Sequence, residues 1–119
     1  MNDPDERPPR KVAAVPTSSW RRGDPALLAA LVGTVQGEQT GPDTCRIWVE
    51  RDDGEIIPVI WPAGYRARLD PLELLDPAGM VVAVPGTPIS VAGGLIPADR
   101  ADHGGADEAF HVMDELPPL

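Results

Sequence analysis

The chain has 119 residues, 42% hydrophobic and 4% aromatic, with 15 Pro, 12 Gly, a single Cys and a formal net charge of −9. That length suits one small domain, and the density of Pro and Gly excludes long helices. Residues 26–119 carry five Lys or Arg against fifteen Asp or Glu, a balance that argues against nucleic acid and anionic membranes, which are bound through basic groups.

Residues 1–23 read as a disordered arm, because the segment is rich in proline and arginine and has no apolar periodicity. The domain proper is expected over residues 24–116, with a short tail at 117–119. Asp24-Pro25 suits the start of a brief helical turn, Asp24 as its cap and Pro25 at the first helical position. Residues 31–36 then read as the first strand, with Gly33 marking a bulge or a close backbone approach and residues 37–44 forming a polar exit loop.

The strongest local signal lies between Cys45 and Trp61. Cys45, Ile47 and Val49 alternate with Arg46, Trp48 and Glu50, the turn residues Asp52-Asp53-Gly54 follow, and Ile57, Val59 and Trp61 then alternate with Ile56, Pro58 and Ile60. A three-residue loop with Gly54 in the left-handed place sets Arg51 opposite Glu55. This register gathers Cys45, Ile47, Val49, Ile57, Val59 and Trp61 on one face, the expected core. A two-residue Asp53-Gly54 loop would scatter the apolar residues between faces and ranks second. Trp48 falls on the opposite face, either packed under the arm or exposed for a partner.

Beyond the hairpin, Trp61-Pro62-Ala63-Gly64 and Asp76-Pro77-Ala78-Gly79 carry turn chemistry. Residues 72–75 and 80–84 are expected to pair across the second turn. Residues 89–92 form another strand, which the pair Gly93-Gly94 ends, and residues 110–113 close the sheet after a polar loop at 99–107. Short strands at this spacing predict an all-β fold, a five- to six-stranded, OB-like antiparallel barrel whose closure removes exposed edges.

Several of these segments carry a resemblance. Leu31-Val32-Gly33-Thr34, Cys45-Arg46-Ile47-Trp48, the run from Val59 through Trp61-Pro62-Ala63-Gly64-Tyr65, and the stretch from Gly86 to Gly94 together resemble a recurrent group of small uncharacterised actinobacterial β-domains over roughly residues 31–97. The resemblance implies an OB-like barrel and no particular activity. Many members of that group look secreted or lipid-anchored. This chain has neither the basic start nor the apolar run of a secretory signal, so a cytoplasmic protein is expected instead.

No pattern in the chain encodes a reaction. Cys45 falls on the apolar face, where a free thiol acts as a small hydrophobe rather than a nucleophile. His103 and His111, with Asp99, Asp102 and Asp107, lack zinc-type spacing, and Asp52-Asp53-Gly54-Glu55 lacks the ligand spacing of a calcium loop, so no metal and no cofactor are expected. The interaction candidates are Trp48 and Trp20, the latter followed by Arg21 and Arg22, since Trp and Arg dominate binding energies. Folding of the arm onto the domain, with Arg21 and Arg22 against its acidic surface, is the competing expectation for that segment. The reading is a non-enzymatic binding or protein-interaction module. The alternative is a small-ligand sensor or enzyme with a pocket dispersed in sequence, for which Tyr65, Arg66, Arg68, His111 and Asp114 are the polar candidates.

Overall fold

The computed structural model describes residues 10–97 and 108–119. Among these residues the fold is all-β without a helix, and ten strands make two sheets. The strands are β1 (Val12–Ala13), β2 (Ala29–Gly41), β3 (Thr44–Glu50), β4 (Ile56–Ile57), β5 (Val59–Ile60), β6 (Arg66–Arg68), β7 (Glu73–Leu75), β8 (Val81–Ala83), β9 (Pro88–Pro97) and β10 (Glu108–Val112). A six-stranded sheet has the order β4-β3-β2-β9-β10-β5, and a four-stranded sheet has the order β1-β6-β7-β8.

The central hairpin has the register its turn dictates. Val49 pairs with Ile57 and Glu50 with Ile56. The Arg51 N–H donates to the Glu55 carbonyl at 2.8 Å, the Gly54 N–H donates to the Arg51 carbonyl at 2.8 Å, and Gly54 has φ +85°. A left-handed glycine in the third loop place is what a three-residue hairpin loop requires. The side chains of Arg51 and Glu55 lie 3.6 Å apart on the surface, a contact worth at most about 1 kcal/mol. All six residues of the expected core face, Cys45 through Trp61, are buried.

Pro58 then breaks the hairpin. Ile56 and Ile57 pair with β3, whereas Val59 and Ile60 pair in parallel with Phe110 and His111 of β10. One proline thus separates the two edge strands of the six-stranded sheet, which curls as a half-barrel. Ile60, expected to face outward, is buried at 3% exposure because the partner that covers it arrives fifty residues later.

A single barrel of five or six strands is therefore too simple a description. The edge strands β4 and β5 are adjacent in the chain around Pro58, and the N-terminal segment bridges this sheet at Thr44 and Trp61. β6, β7 and β8, three residues each, pair with one another and with β1. The turn joining β7 to β8 follows the expected chemistry: the Gly79 N–H donates to the Asp76 carbonyl at 2.9 Å, and Gly79 has φ +89°. Leu74, Val82 and Ala83 of this sheet share one core with Leu31, Val35 and Ile47 of the other.

Four further expectations need correction. Residues 10–23 are not a free arm. Val12 and Ala13 pair with Arg68 and Ala67, Ala13 and Val15 are buried, and backbone bonds fasten Lys11, Ala14, Pro16, Ser18 and Trp20 to Leu69, Cys45, Trp61 and Ala63. The arm's first nine residues, and the polar loop at 98–107, lie outside the described residues. There is no helical turn after Asp24; its carboxylate accepts the Arg21 N–H at 2.9 Å and closes a turn over residues 21–24. Residues 37–41 continue β2 rather than leaving it. Gly93 and Gly94 do not end their strand but sit inside β9, because a Cβ at Gly93 would overlap the His111 carbonyl. Gly33 is the expected close approach, since a Cβ there would overlap the Glu50 carbonyl oxygen.

Trp61 joins these parts. Its indole N–H donates to the Ile47 carbonyl at 3.0 Å, its backbone N–H to the Pro16 carbonyl at 2.9 Å, and its carbonyl accepts the Ser18 N–H at 2.8 Å. Trp61→Ala is expected to cost about 3–5 kcal/mol, read as a lowered urea midpoint; an unchanged midpoint would contradict its placement. Removing residues 1–17 is expected to lower that midpoint well below the value for a chain lacking only residues 1–9, because it uncovers the core beneath Ala13 and Val15. Equal midpoints would restore the free-arm reading.

Candidate interaction site

Six of the nine candidate residues fall into two separate clefts. Trp48 lies on the outer face of β3, opposite Gln36 of β2 and flanked by Arg46 and Glu50. It is half-buried and lines a cleft of about 340 Å³ with Pro16, Glu38, Arg46, Ile56, Pro58, Val59 and Ile60. The arm therefore supplies one wall, through Pro16, without covering the indole. Ile56 is 59% exposed beside it. The Trp48 indole N–H has no acceptor among the described residues, so this ring presents an apolar face and an available donor together.

The second cleft, about 490 Å³, brings together residues far apart in sequence. Trp20, Arg21 and Arg22 line it with Tyr65 and Asp114, and Asp76, Glu115, Leu116 and Pro118 complete it. The Trp20 segment is held in place by local bonds: its N–H donates to the Ser18 hydroxyl at 3.1 Å, its indole N–H to the Pro25 carbonyl at 3.2 Å, and its carbonyl accepts the Ala63 N–H at 2.9 Å. Arg22 lies 3.6 Å from Glu115, both exposed. The arm thus folds back onto acidic surface, which was the competing expectation for this segment.

Tyr65 sits at the cleft's inner wall, stacked on Trp61 with ring centroids 6.4 Å apart. Its hydroxyl accepts the Leu116 N–H at 3.3 Å. Burial pushes its ionisation up, the bond from Leu116 partly offsets this, and the carboxylates of Asp76, Glu115 and Asp114 add to the rise. Asp114 is occupied as a structural acceptor: its Oδ2 takes the Ala92 N–H at 3.1 Å and its Oδ1 the Glu115 N–H at 2.9 Å. A carboxylate so engaged is a clamp between β9 and the chain's last residues.

The remaining pocket candidates are not brought together. Arg66 reaches the carbonyls of Gly64 and Asp76 at 3.5 Å. Arg68 meets Glu73 at 2.8 Å, where Arg10 joins it at 2.6 Å while also donating to the Leu69 and Pro71 carbonyls. That triad fastens the arm to the four-stranded sheet. His111 is buried within β10 and lines neither cleft. Cys45 is buried, and burial raises its thiol ionisation, consistent with a packing role. Among the described residues no three His, Cys, Asp or Glu are grouped to hold a metal ion, and no helix is long and apolar enough to cross a membrane. His103, Asp99, Asp102 and Asp107 lie outside the described residues.

Sequence reasoning missed Asp76, Glu115, Leu116 and Pro118 as cleft residues. Asp76 carries a turn signal, which masks any second role, and the other three sit in a segment without periodicity. No known protein family matches the sequence, and no curated protein and no solved structure is significantly similar to it.

The chain has one Tyr, which makes its titration separable. An unfolded tyrosine ionises near pH 10, whereas Tyr65 holds its proton longer when folded. Its contribution to stability is thus complete below about pH 10 and is lost as pH rises beyond that value. The urea midpoint of the wild type is expected to fall more steeply above pH 10 than that of Tyr65→Phe; parallel curves would contradict the burial of this phenol.

Proposed function

We propose that this chain is a non-enzymatic protein-interaction module, built on a small acidic OB-like barrel and working in the cytoplasm, with the Trp48 cleft as its recognition surface. The observation that carries the reading is a half-buried tryptophan on an outward sheet face, next to an exposed isoleucine and without a hydrogen-bond acceptor for its indole among the described residues. Tryptophans in partly enclosed apolar settings are the residues that dominate interface energies, commonly by 2 kcal/mol or more.

The strand order supports the OB-like part of this proposal. Taking β4, Pro58 and β5 as one kinked strand, the sequence β3-β2-β9-β10 returns to β3 through that strand. Trp48, Ile56 and Pro58 then lie on the second and third strands of a five-stranded circuit, the face through which OB-type barrels bind their ligands. The resemblance to small actinobacterial β-domains is in keeping with such a barrel. A net charge of −9 and the absence of stacked aromatics beside Trp48 favour a protein partner over a nucleic acid.

The second reading, a small-ligand sensor or enzyme, draws on the 490 Å³ cleft where Tyr65 and Asp114 meet. It is the weaker reading. Both oxygens of Asp114 are taken by backbone N–H groups, and Arg68 and His111 are engaged elsewhere in the fold, so few convergent polar groups remain for chemistry.

Affinity capture from native-host extract, comparing wild type with Trp48→Ala at matched folded concentration, tests the proposal. Partner recovery is expected to drop on the order of tenfold or more with Trp48→Ala, while the urea midpoint moves little. Equal recovery by both proteins would remove Trp48 from the function.

A further inference from the structure

Strand β2, with 13 residues, outruns both of its neighbours. It pairs with β9 over residues 29–34 and with β3 over residues 34–41, because the hairpin turns back after Glu50 instead of following β2 to its start. On the β3 side, residues 29–33 therefore have no strand beside them among the described residues. Alternation along a strand fixes which backbone groups this leaves open. The Val35 N–H donates to the Thr87 carbonyl and its carbonyl accepts the Gly86 N–H, both at 2.8 Å, so the odd-numbered residues of β2 spend their groups on the β9 side. Ala30 and Val32 direct theirs to the empty side.

Sheet edges are ordinarily guarded by charge, proline, shortness or a cover. Elsewhere in this fold such guards are present: β4 has two residues and stops at Pro58, the Trp61 that follows β5 bonds Pro16 and Ser18, and Leu119 donates its N–H to the Val81 carbonyl of β8 at 3.0 Å. The edge at 29–33 has none of them. Residues 25–37 carry no charged side chain, in a chain of net charge −9. Ala30 is exposed, Val32 is 57% exposed, and Leu28, just before the strand, is 82% exposed. Ser90 and Ala92, which pair with Val32 and Ala30 from β9, add no charge.

We propose that this edge pairs with the same edge of a second copy of the chain, antiparallel about a two-fold axis at Ala30. The surface is its own complement. Such an axis sets Ala30 against the partner's Ala30, where their open N–H and carbonyl groups bond one another, and sets Val32 across from the partner's Leu28, where each exposed side chain covers the other. An axis at Leu31 would instead bring Leu28 against the partner's Thr34, whose backbone is already paired with Glu50. Two chains this acidic repel one another, and an uncharged stretch is where they can approach. About five residues a side is well short of the roughly 20 of a standard interface, so the dimer is reversible and dissociates on dilution. The edge shares no residue with the Trp48 cleft and does not depend on the reading of that cleft.

Sedimentation velocity of the full chain from about 10 µM to about 1 mM tests the proposal. The weight-average mass is expected to rise from monomer toward dimer. Val32→Lys and, separately, Leu28→Lys should weaken the association on the order of tenfold or more and leave the urea midpoint in place, because both positions are exposed in the single chain. Trp48→Ala should associate as the wild type does. Amide exchange locates the contact: the Ala30 and Val32 N–H signals should gain protection as concentration rises, whereas the Leu31 N–H, held by β9, is protected throughout. A monomer at every concentration would overturn the proposal. So would a dimer indifferent to both lysine substitutions, or one formed without protection at Ala30 and Val32. Loss of the dimer in Trp48→Ala would also overturn it, by moving self-association to the Trp48 cleft; the other failures leave the Trp48 reading intact.

Discussion

One indole anchors the molecule. Trp61 is fully buried, its N–H bonded to the Ile47 carbonyl inside the hairpin, its backbone bonded to Pro16 and Ser18 of the N-terminal segment, and its ring stacked on Tyr65. A buried tryptophan whose N–H lacked an acceptor would lose stability, so the ring and the carbonyl that receives it fix one another. Three stretches far apart in sequence meet there. Through Tyr65 the same contact reaches Leu116, and with it the wall of the second cleft.

The second constraint is Pro58. A proline cannot donate to a sheet ladder and is confined to edges and breaks. Here it lets one extended stretch serve β3 with Ile56 and Ile57 and β10 with Val59 and Ile60. The curl that follows turns the outer side of β3 and β4 toward solvent as a continuous strip, and the N-terminal segment borders that strip at Pro16. Both clefts follow from this path of the chain. One lies where the kinked strand leaves the hairpin, and the other where the N-terminal turn and the last residues cross the corner after Trp61.

Local chemistry made some of this legible from the sequence and left the rest hidden. The turn residues Asp52, Asp53 and Gly54 specify their hairpin and its register within five residues, so the core face from Cys45 to Trp61 could be read directly. Asp76 to Gly79 is equally local. Ile60 could not be read, because alternation assigns it outward and its cover is a strand distant in sequence. Residues 10–23 show no sustained periodicity because only Val12 and Ala13 form a strand, and single backbone bridges at Ala14 and Thr17 hold the segment beyond it to Thr44 and Trp61. Gly93 and Gly94 signal an ending by composition, yet their lack of side chains serves the approach of His111 and Leu27 to β9. The sequence offers Trp20, Arg21 and Arg22 as interaction candidates and Tyr65 and Asp114 as pocket candidates, and only tertiary packing joins the two sets in one cleft.

The account stands on two indoles in opposite environments, one sealed and one facing outward. Hydrogen exchange of the three tryptophan indole N–H signals, assigned by Trp20→Phe and Trp48→Phe, measures this directly. The Trp61 N–H should persist on the timescale of global unfolding, because the Ile47 carbonyl holds it in the core, while the Trp48 N–H should exchange at once. A protected Trp48 signal, or a Trp61 signal lost with the first spectrum, would contradict this arrangement.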